Sequence, residues 1–383
     1  MAQCSVNSSP ILITGATGFL GGFLAGELIK RGRKTLLLVR PRGNDSAEKR
    51  VGKLLKFLDI EPEHLSTVIP GEIDKPGLGL SEEHLKILQE VPEVLHCAAD
   101  TSFAERKKEQ VEKTNLQGLR NVFDVIPNCE RFFHMSSAYS AGKQEGLVKE
   151  EMQSPPDFHN PYERSKNEAE KLITQLCREK GTKLTIFRPS ITYGESTTGK
   201  SLRFNALYFP VRTLLFFKDS LKKDILERSG KRAAQLGVSI NDDGTIHLPL
   251  TFPGSGGLNL VPINFLVKAV TAIMDSSETG IFHIVNPESD TISKLAENIQ
   301  QHYAISGLSV AEKALQDGPL QTLINSYIDV YYPYFCDKRI FDDYRAKKVL
   351  EPLEIECPAL TSDVFKRCMD FAIEVDWGSK IRV

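Results

Sequence analysis

Pairs of tyrosine and lysine four positions apart are the first candidates for chemistry in this 383-residue chain. On a helix this spacing places both side chains on one face. A nearby ammonium lowers the pKa of a phenol from about 10 and makes the phenol a usable proton donor or acceptor near neutral pH. The neighbouring elements must decide which pair is functional, because the pattern occurs four times. The four pairs are Tyr139/Lys143, Tyr162/Lys166, Tyr334/Lys338 and Tyr344/Lys348.

The elements around Tyr162 and Lys166 favour that pair. Tyr162 opens a predicted helix, 161–180, and Ser136–Ser137 stands at the end of the predicted strand before it. The carboxyl ends of parallel strands are where such proteins build their sites. The first of the four pairs instead spans a glycine in a predicted loop, and the last two lie far from the N-terminal half of the sequence.

A glycine-rich turn marks a second candidate site. Gly15, Gly18 and Gly21 directly follow the predicted strand 11–14, and a predicted helix, 19–31, starts within the turn. Glycines let the backbone turn tightly and approach a pyrophosphate, which free N–H groups and the positive end of the helix dipole then hold. Because this turn is the first strand-to-helix connection of the chain, it predicts a dinucleotide-binding site.

The residues after the second predicted strand indicate which dinucleotide is bound. An NAD-binding protein usually carries a carboxylate there for the ribose hydroxyls, whereas arginine accommodates a 2′-phosphate. This chain has Arg40 and Arg42 there, and its next carboxylate is Asp45. Two guanidinium groups offer bidentate donors to a phosphate, which favours NADPH. The alternative is that both arginines are ordinary solvated surface residues.

Short β-rich runs alternate with helical periodicity over the first 190 residues. Strands that alternate with helices form βαβ units and a parallel sheet with helices on both faces. The sequence therefore predicts an α/β protein with a Rossmann-type, doubly wound parallel sheet. The predicted strands are Ile11–Thr14, Thr35–Val39, Val94–His96, Arg131–Met135 and Thr182–Phe187.

The alternation loosens after Pro189, which sets a soft domain boundary near residue 195. We expect an NADP-binding Rossmann domain at 1–195 and a smaller, mostly helical C-terminal substrate-binding lobe at 196–383. Segments around 258–290 resume the alternation, and we expect them to return to the Rossmann domain.

The start of the second lobe carries an unusual distribution of residue types. Residues 200–235 have amphipathic helical periodicity, and within them the segment 204–232 is apolar and aromatic first and basic afterwards. Its apolar surface could cover a fatty chain while its cations meet phosphates or an acidic carrier protein. A core helix with a solvated basic flank explains the pattern equally well. Residues 241–257 are rich in Gly, Asp and Pro, which indicates a loop or a short hairpin.

Composition excludes several classes of protein. Lys and Arg number 48 against 50 Asp and Glu, so a net charge of −2 gives no basic field for nucleic acid. The seven cysteines contain no C-x-x-C pair, which argues against a disulfide framework and a structural zinc site and favours a reducing, cytoplasmic location. The N-terminus lacks the basic region of a signal peptide. The most lipid-like run, Phe204–Phe217, is shorter than the roughly 18 apolar residues of a spanning helix.

Taken together, these motifs resemble the extended short-chain dehydrogenase/reductases. The resemblance covers at least residues 8–195, because the motifs fall in that family's order and spacing. They are T-G-x-x-G-F-L-G at 14–21, His96-Cys97-Ala98-Ala99, Thr114-Asn115-Leu116-x-Gly118, Ser137 and Tyr162-x-x-x-Lys166.

Within that family the chain is most similar to the thioester reductase and fatty acyl-CoA reductase branch. Residues 71–80 resemble the branch's G-D-x-x-x-P-x-L-G-L stretch, and residues 187–199 resemble its R-P-S-I-x-x-G-x-s-x-T-G stretch. Glu72 departs from the usual Asp. Ser137 stands where this branch often has Thr, and either residue supplies a hydroxyl.

The resemblance implies roles for individual residues. Tyr162 would be the acid, Lys166 its tuner and ribose anchor, and Ser137 the donor that orients the substrate oxygen. Asn115 would support a water relay, or would tie its helix to neighbouring backbone. The implied cofactor-binding residues are Thr14, Gly15, Thr17, Gly18, Phe19, Leu20, Gly21, Arg40, Arg42, Ala98, Ala99, Tyr162, Lys166, Pro189 and Ser190.

Other reactive residue types have simpler explanations. His96 and His134 lie in or beside buried-strand patterns, so we interpret them as structural histidines rather than catalytic bases. Cys97 is interpreted as a buried structural thiol, because buried cysteine is common and the expected reaction needs no thiol nucleophile. A tyrosine cluster at 327–334 is predicted to belong to the core or to the rim of a site.

The resemblance implies NADPH-dependent reduction of an acyl thioester, carried by coenzyme A or an acyl carrier protein, to an aldehyde. Onward reduction to an alcohol, peripheral membrane contact and the oligomeric state stay open. The alternative within the superfamily is a sugar-nucleotide epimerase or dehydratase, or a hydroxysteroid-type dehydrogenase, using NAD(P). A non-enzymatic NADPH-binding scaffold is a third possibility, because fold does not dictate function.

Overall fold

The computed structural model describes residues 9–61, 67–312, 318–381 and 383. Its strands are β1 Ile11–Thr14, β2 Thr35–Val39, β3 Thr67–Pro70, β4 Glu93–His96, β5 Arg131–Met135, β6 Leu147–Val148, β7 Lys183–Pro189, β8 Ile191–Tyr193, β9 Ser239–Ile240, β10 Ile246–Pro253, β11 Gly257–Leu258, β12 Leu260–Pro262, β13 Gly280–Ile284, β14 Asp290–Thr291, β15 Ile305–Ala311 and β16 Ile340–Phe341.

The α-helices are α1 Phe19–Lys30, α2 Ala47–Phe57, α3 Glu82–Gln89, α4 Lys108–Glu112, α5 Gly118–Asp124, α6 Pro161–Lys180, α7 Tyr208–Glu227, α8 Lys231–Gln235, α9 Ile263–Asp275, α10 Ile292–Tyr303, α11 Pro319–Ile328, α12 Tyr332–Phe335, α13 Tyr344–Leu350 and α14 Ser362–Glu374. A π-helical turn, Lys113–Gln117, joins α4 to α5, and a short 3₁₀ turn, Ala138–Ala141, follows β5.

The central sheet confirms the predicted Rossmann-type architecture. Its seven strands lie in the order β13-β7-β5-β4-β1-β2-β3, and every neighbouring pair is parallel. The chain winds outward from β1 through β2 to β3 and then crosses to β4 on the other side of β1. The carboxyl ends of β1 and β4 therefore flank the switch point where open α/β sheets bind ligands.

Separate apolar cores cover the two faces of this sheet. On one face α1, α2 and α9 contribute most of the buried side chains, and Ala346 and Leu350 of α13 join them. On the other face the core comes from α5 and α6 with residues of α3. Burial on both faces explains why β1 and β2 read as unbroken apolar runs rather than as alternating patterns.

Local signals set the ends of α6, the helix that carries Tyr162. The Asn160 side chain accepts a hydrogen bond from the Glu163 N–H at 3.0 Å, which caps the helix, and Pro161 occupies the first helical position. Gly181 adopts the left-handed conformation that ends many helices. These signals are all local, which is why the predicted bounds 161–180 are confirmed.

The second lobe packs helices α7, α10, α11 and α14 around a three-stranded sheet in the order β15-β10-β9. The prediction of a loop or short hairpin at 241–257 was only partly right. A hairpin does join β9 to β10, but β10 continues to Pro253 and pairs in parallel with β15. The register of β10 against β15 shifts between His247 and Leu250. Pro249 lies in this interval and has no N–H to donate to the neighbouring strand.

Later parts of the chain return to the first domain. β12 pairs with β8, and β13 becomes an edge strand of the central sheet beside β7. Arg31 of α1 donates hydrogen bonds to Thr271 at 2.8 Å and to Asp275 at 3.0 Å, both on α9. The central sheet and the lobe are therefore interleaved in sequence.

None of the helices in the described ranges is long and apolar enough to cross a membrane.

Candidate active site

Ser137 and Tyr162 meet at the carboxyl end of β5. Ser137 follows this strand and caps a short 3₁₀ turn, since its Oγ accepts a hydrogen bond from the Tyr139 N–H at 3.2 Å. Tyr162 lies in the first turn of α6, close enough to Ser137 that the serine hydroxyl lowers the phenol's pKa. Burial has the larger effect and raises the pKa of Tyr162 to about 12. The phenol is therefore held protonated at neutral pH, as a proton donor requires.

Lys166 lies one helical turn after Tyr162, almost fully buried. Its ammonium donates a hydrogen bond to the Met135 carbonyl at 2.7 Å, at the end of β5. Burial lowers the pKa of Lys166 to about 8. The expectation that this ammonium lowers the pKa of Tyr162 is not met: the lysine makes no resolved contribution, and the pKa of the phenol moves upward.

A buried ion pair connects the helix face of Tyr162 and Lys166 to the strands below it. Glu170 lies one further turn along α6, and the Arg188 Nε of β7 donates to its Oε1 at 2.9 Å. Both side chains are 0% exposed. Ser136 and Ser140, on either side of Ser137, also donate hydrogen bonds to Glu170. The carboxylate thus fixes the Ser137 segment against α6, and sequence reasoning missed it because nothing local connects residues 170 and 188.

Asn115 lies in the π-helical turn, and its amide is occupied. Its Oδ1 accepts from the Asp100 N–H at 2.8 Å, while its Nδ2 donates to the Asp100 carbonyl at 3.0 Å and to Ser165 Oγ at 2.8 Å. This geometry matches the alternative in which Asn115 ties its helix to neighbouring backbone. The tie holds the loop after β4 against α6, beside Lys166.

The two strand histidines lie side by side in the sheet. The rings of His96 and His134 stack at 5.7 Å, and His96 Nδ1 is 2.9 Å from Thr14 Oγ1. Burial lowers the pKa of both residues, to about 3 for His96, so both are neutral. The pKa of Cys97 is raised to about 12 by burial. His96 and Cys97 fit the structural roles expected of them, whereas both ring nitrogens of His134 are buried without a hydrogen-bond partner among the described residues.

The glycine-rich turn lies at the switch point between β1 and β4. Gly15 has φ +68°, and a Cβ there would come within 2.6 Å of the Ala98 backbone nitrogen. A Cβ on Gly21 would lie 2.3 Å from the Gly15 carbonyl oxygen. Gly18 precedes α1 without a side-chain cap, so the first N–H groups of α1 are left for a bound anion.

The Arg40 and Arg42 side chains are exposed beyond β2, beside a third arginine that sequence reasoning missed. Arg50, on α2, donates a hydrogen bond to the Arg40 carbonyl at 2.6 Å. Burial lowers the pKa of Arg50, and the neighbouring charges of Arg42 and Arg40 lower it further. None of the three forms an ion pair with an Asp or Glu side chain in the described part of the chain, although Arg50 also donates a hydrogen bond to the main-chain oxygen of Val383 at 3.5 Å. Three guanidinium groups without an acidic side-chain partner suit the 2′-phosphate of a dinucleotide.

Ser190 lies at the carboxyl end of β7, the strand next to β5 in the central sheet. Pro189 ends β7, and the Oγ of Ser190 is buried with no hydrogen-bond partner among the described residues. An unpartnered buried hydroxyl calls for a ligand, because leaving it unpaired is costly. Ala98 and Ala99 follow β4, the neighbour of β1 and β5 in the sheet.

Aromatic contacts join Tyr162 to the second lobe. The Phe103 ring stacks on Tyr162 at 6.0 Å and on Tyr334 at 5.7 Å. The Tyr334 hydroxyl donates to Glu163 at 2.8 Å and accepts from Asn160 at 2.7 Å, so it is tied to the first turn of α6. Phe103 lies in the loop after β4, which carries no motif, so the sequence gives no signal for its contact with Tyr162.

An apolar cavity begins beyond this aromatic contact. Tyr334 and Tyr331 line it on the side of Phe103, and the side chains lining the rest are almost all hydrocarbon. The helices α7 and α10 provide much of the wall, from Pro210, Val211, Leu214, Leu295, Ala296 and Ile299.

The structure divides the segment 204–232 into two parts. Most of its apolar half is buried and lines the cavity through α7, except Phe216, whose side chain is exposed. The basic residues follow towards the end of the helix. Lys222 and Arg228 lie ten and sixteen positions after Arg212. At 1.5 Å per helical residue, Lys222 is about 15 Å further along α7 than Arg212.

The other Tyr/Lys pairs have different surroundings. Tyr139 is buried against Tyr334, with ring centroids at 5.1 Å, and Lys143 pairs with Asp157 at 2.6 Å. Tyr344 is exposed on α13.

Among the described residues, no group of three or more His, Cys, Asp or Glu side chains is arranged to hold a metal ion.

Comparison with curated proteins finds similarity to reductases and synthetases. The chain is 22% identical over 94% of its length to a linear gramicidin synthase from Brevibacillus parabrevis. It is 31% identical over 38% of its length to probable fatty acyl-CoA reductase 5 of Arabidopsis thaliana, and 32% identical over 34% to fatty acyl-CoA reductase 1 of Mus musculus. The chain spans only 7%, 34% and 28% of these three relatives.

Solved structures share the fold over nearly the whole chain. The terminal R domain of the myxalamid PKS-NRPS biosynthetic pathway matches with a TM-score of 0.74 at 21% identity, covering 98% of this chain and 96% of that one. UDP-glucuronic acid 4-epimerase from Bacillus cereus, in complex with NAD, matches with a TM-score of 0.64 at 16% identity, over 97% and 98% of the two chains.

A family model matches residues 13–270, a range that includes the glycine-rich turn, Ser137, Tyr162 and Lys166. The match supports a nicotinamide cofactor. It also confirms the resemblance to the thioester reductase branch of the extended short-chain dehydrogenase/reductases, together with the reductase relatives. The chain therefore belongs to the NAD-binding family described as male sterility protein.

Proposed function

We propose that this chain reduces an acyl thioester to an aldehyde with NADPH. The observation that carries the proposal is the position of Tyr162: Ser137 hydrogen-bonds to its phenol, Lys166 lies one helical turn later on α6, and the Phe103 ring stacks on it. Phe103 in turn contacts Tyr334, which lines the apolar cavity. A proton donor thus lies between a dinucleotide groove and a hydrocarbon-lined chamber.

Ser137, Tyr162 and Lys166, the triad of this site, divide the chemistry among them. The bound cofactor supplies a hydride to the thioester carbonyl carbon. Ser137 and Tyr162 donate hydrogen bonds to the carbonyl oxygen, and these preorganised donors stabilise the negative charge that develops there. Tyr162 gives its proton to that oxygen, and the resulting hemithioacetal collapses to an aldehyde and a free thiol. Lys166, held by the Met135 carbonyl, anchors the cofactor ribose.

The lining of the cavity favours a fatty acyl group over a sugar nucleotide. A sugar ring buried in this chamber would leave its hydroxyls without enough hydrogen-bond partners, at a cost of about 1–3 kcal/mol for each unpaired group. A hydrocarbon chain gains about 0.8 kcal/mol for each CH₂ that it buries. The similarity to epimerase structures therefore supports the shared fold rather than their chemistry.

The preference for NADPH rests on Arg40, Arg42 and Arg50. A 2′-phosphate between these guanidinium groups would relieve the like-charge repulsion that lowers the pKa of Arg50. NADH lacks that phosphate and therefore offers the three arginines no anionic group.

The test is a turnover assay with purified protein, NADPH and acyl-CoAs of several lengths. We expect NADPH oxidation that depends on the thioester, with one thiol released and one aldehyde trapped for each NADPH consumed. Two NADPH for each thiol would instead establish onward reduction to an alcohol. The proposal fails if no thioester is consumed while the purified protein releases tightly bound NAD on denaturation, because that result would favour the epimerase alternative.

A further inference from the structure

A groove with four arginines passes beside the glycine-rich turn. It runs from Thr17 to the start of α7 and to the last residues of the chain. Its four arginines are Arg42 and Arg50 from the first domain and Arg203 and Arg212 from the second lobe. No Asp or Glu side chain of the described residues lines it. Such a surface concentrates anions.

The two pairs of arginines belong to different parts of the molecule. Arg42 follows β2, and Arg50 lies on α2; both line the groove beside the glycine-rich turn. Arg40 adds a third positive charge there. Arg203 precedes α7 in the second lobe, and Arg212 lies near the start of that helix. Both are exposed, and neither forms an ion pair in the described part of the chain. The Arg212 guanidinium lies over the Trp377 ring at 5.9 Å, which restricts its position.

A bound NADPH leaves the second pair without a phosphate of its own. The free N–H groups of α1 suit the pyrophosphate, and Arg40, Arg42 and Arg50 suit the 2′-phosphate. Arg203 and Arg212 are then two further cations with no anionic partner on the cofactor or among the described residues. A second ligand that carries phosphate would supply that partner.

A short series of aromatic contacts connects the second pair of arginines to the triad. Phe209 lines the groove one helical turn before Arg212, and its ring lies 5.8 Å from Tyr331. Tyr331 lies 6.3 Å from Phe103, whose ring stacks on Tyr162 at 6.0 Å. The three ring contacts, at 5.8, 6.3 and 6.0 Å, form a continuous path from Phe209, one helical turn from Arg212, to the catalytic phenol.

We propose that Arg203 and Arg212 bind the phosphate of a 4′-phosphopantetheine thioester, whose arm then runs past Phe209 to Tyr162. This inference rests on the proposed thioester reductase function and assigns the binding site of the carrier end of the substrate. The acyl chain enters the apolar cavity, and the phosphate remains in the arginine groove. Coenzyme A and the prosthetic arm of a carrier protein share this phosphate, so the site serves either source.

The first measurement is the binding of free 4′-phosphopantetheine, by titration calorimetry, to protein saturated with NADPH. Pantetheine, which lacks only the phosphate, is the matched ligand. We expect the phosphorylated compound to bind about tenfold to a hundredfold more tightly, the effect of one or two charge-assisted hydrogen bonds. The double variant Arg203→Ala/Arg212→Ala should lose that difference and keep its affinity for NADPH.

The matched control removes two other exposed arginines. Arg120→Ala/Arg178→Ala deletes the same charge from α5 and α6, whose side chains build the core on the opposite face of the sheet. Neither arginine forms an ion pair in the described residues, and we expect this variant to retain the preference for phosphate. A loss in the control as well would assign the preference to overall charge and overturn the proposal.

Kinetics with acyl-CoA, an acyl carrier protein and acyl-pantetheine separate the remaining outcomes. The groove variant, Arg203→Ala/Arg212→Ala, should raise KM for acyl-CoA and for the acyl carrier protein and leave KM for acyl-pantetheine unchanged. If KM rises for acyl-CoA alone, the phosphate bound at this site is that of coenzyme A. Equal binding of both pantetheine compounds to the wild type, or a loss of NADPH affinity in the groove variant, would overturn the site. Arginine-dependent phosphopantetheine binding without any turnover would retain the site and refute the proposed reductase function.

Discussion

The triad region and the apolar cavity are built by opposite means. Around the triad, charged and polar side chains are buried with their partners: Glu170 and Arg188 are 0% exposed, and Asn115 uses its whole amide. The cavity is lined by hydrocarbon from α7 and α10. A buried polar network admits few arrangements, because each unpaired group is costly. An apolar wall accepts many volumes and shapes. We infer that the first region fixes the reaction and the second selects the substrate.

The largest effect is expected where the polar network is broken. Glu170→Gln leaves the buried Arg188 charge without its counter-ion, so the free energy of unfolding should fall by about 3–5 kcal/mol. Chemical denaturation measures this change. Asp370→Asn removes one partner of the exposed ion pair with Lys366 and should cost no more than about 1 kcal/mol. Equal effects in the two variants would show that the Glu170 network does not hold the site.

The next effect is on catalysis rather than on stability. Tyr162→Phe keeps the ring against Phe103 but removes the proton donor, so turnover should fall by about 10² or more, the range for lost general acid catalysis. Affinity for NADPH, measured by fluorescence titration, should hardly change. Tyr139→Phe is the matched control, because it removes a phenol from a neighbouring Tyr/Lys pair. A larger loss in this control would reassign the acid to Tyr139.

The two regions also differ in how much of them the sequence predicts. The glycine-rich turn and α6 are each specified by residues close in sequence. Gly15 and Gly21 have no space for a Cβ. Asn160 and Gly181 set the two ends of α6. Their positions, and the parallel sheet around them, followed from pattern alone. Ser137 was placed correctly at the end of β5 because the register of a strand is equally local.

Contacts between distant segments were not predictable in this way. The ion pair between Glu170 and Arg188 and the stacking of Phe103 on Tyr334 join residues that share no motif. The cavity takes its walls from segments between residues 191 and 365, so its shape depends on how whole helices pack. For the same reason β10 was mistaken for part of a loop, since its partner β15 lies about 60 residues later in the sequence.

The cavity itself gives the third prediction. Ala296→Phe places a ring inside the chamber, so kcat/KM for long-chain thioesters should fall by about tenfold to a hundredfold, the result of a clash worth about 1–3 kcal/mol. Short-chain thioesters that do not reach Ala296 are the internal control and should change by less than about twofold. A uniform loss across all chain lengths, with a lower melting temperature, would indicate disturbed packing instead.

Replacing the two arginines that follow β2 should give a smaller effect. Arg40→Ala/Arg42→Ala should weaken NADPH binding by about tenfold, because charge-assisted hydrogen bonds to the 2′-phosphate contribute about 1.5–3 kcal/mol and Arg50 retains part of them. NADH affinity should stay the same, since NADH has no phosphate at that position. Equal affinities for the two dinucleotides in the wild type would contradict the assignment of these arginines.

The smallest effect concerns pH. Burial lowers the pKa of Lys166 to about 8, so in the free enzyme this side chain loses its proton as the pH rises through 8. The value of kcat/KM reports free-enzyme pKa values and should therefore fall severalfold between pH 7 and about 9. Tyr162, whose pKa burial raises to about 12, stays protonated over that range and cannot cause the fall. Lys166→Arg keeps a positive charge at every pH tested, so its profile should be flat there, even if its maximum is lower. A basic limb that persists in Lys166→Arg would assign the titration to another group and show that the buried ammonium is not what the reaction depends on.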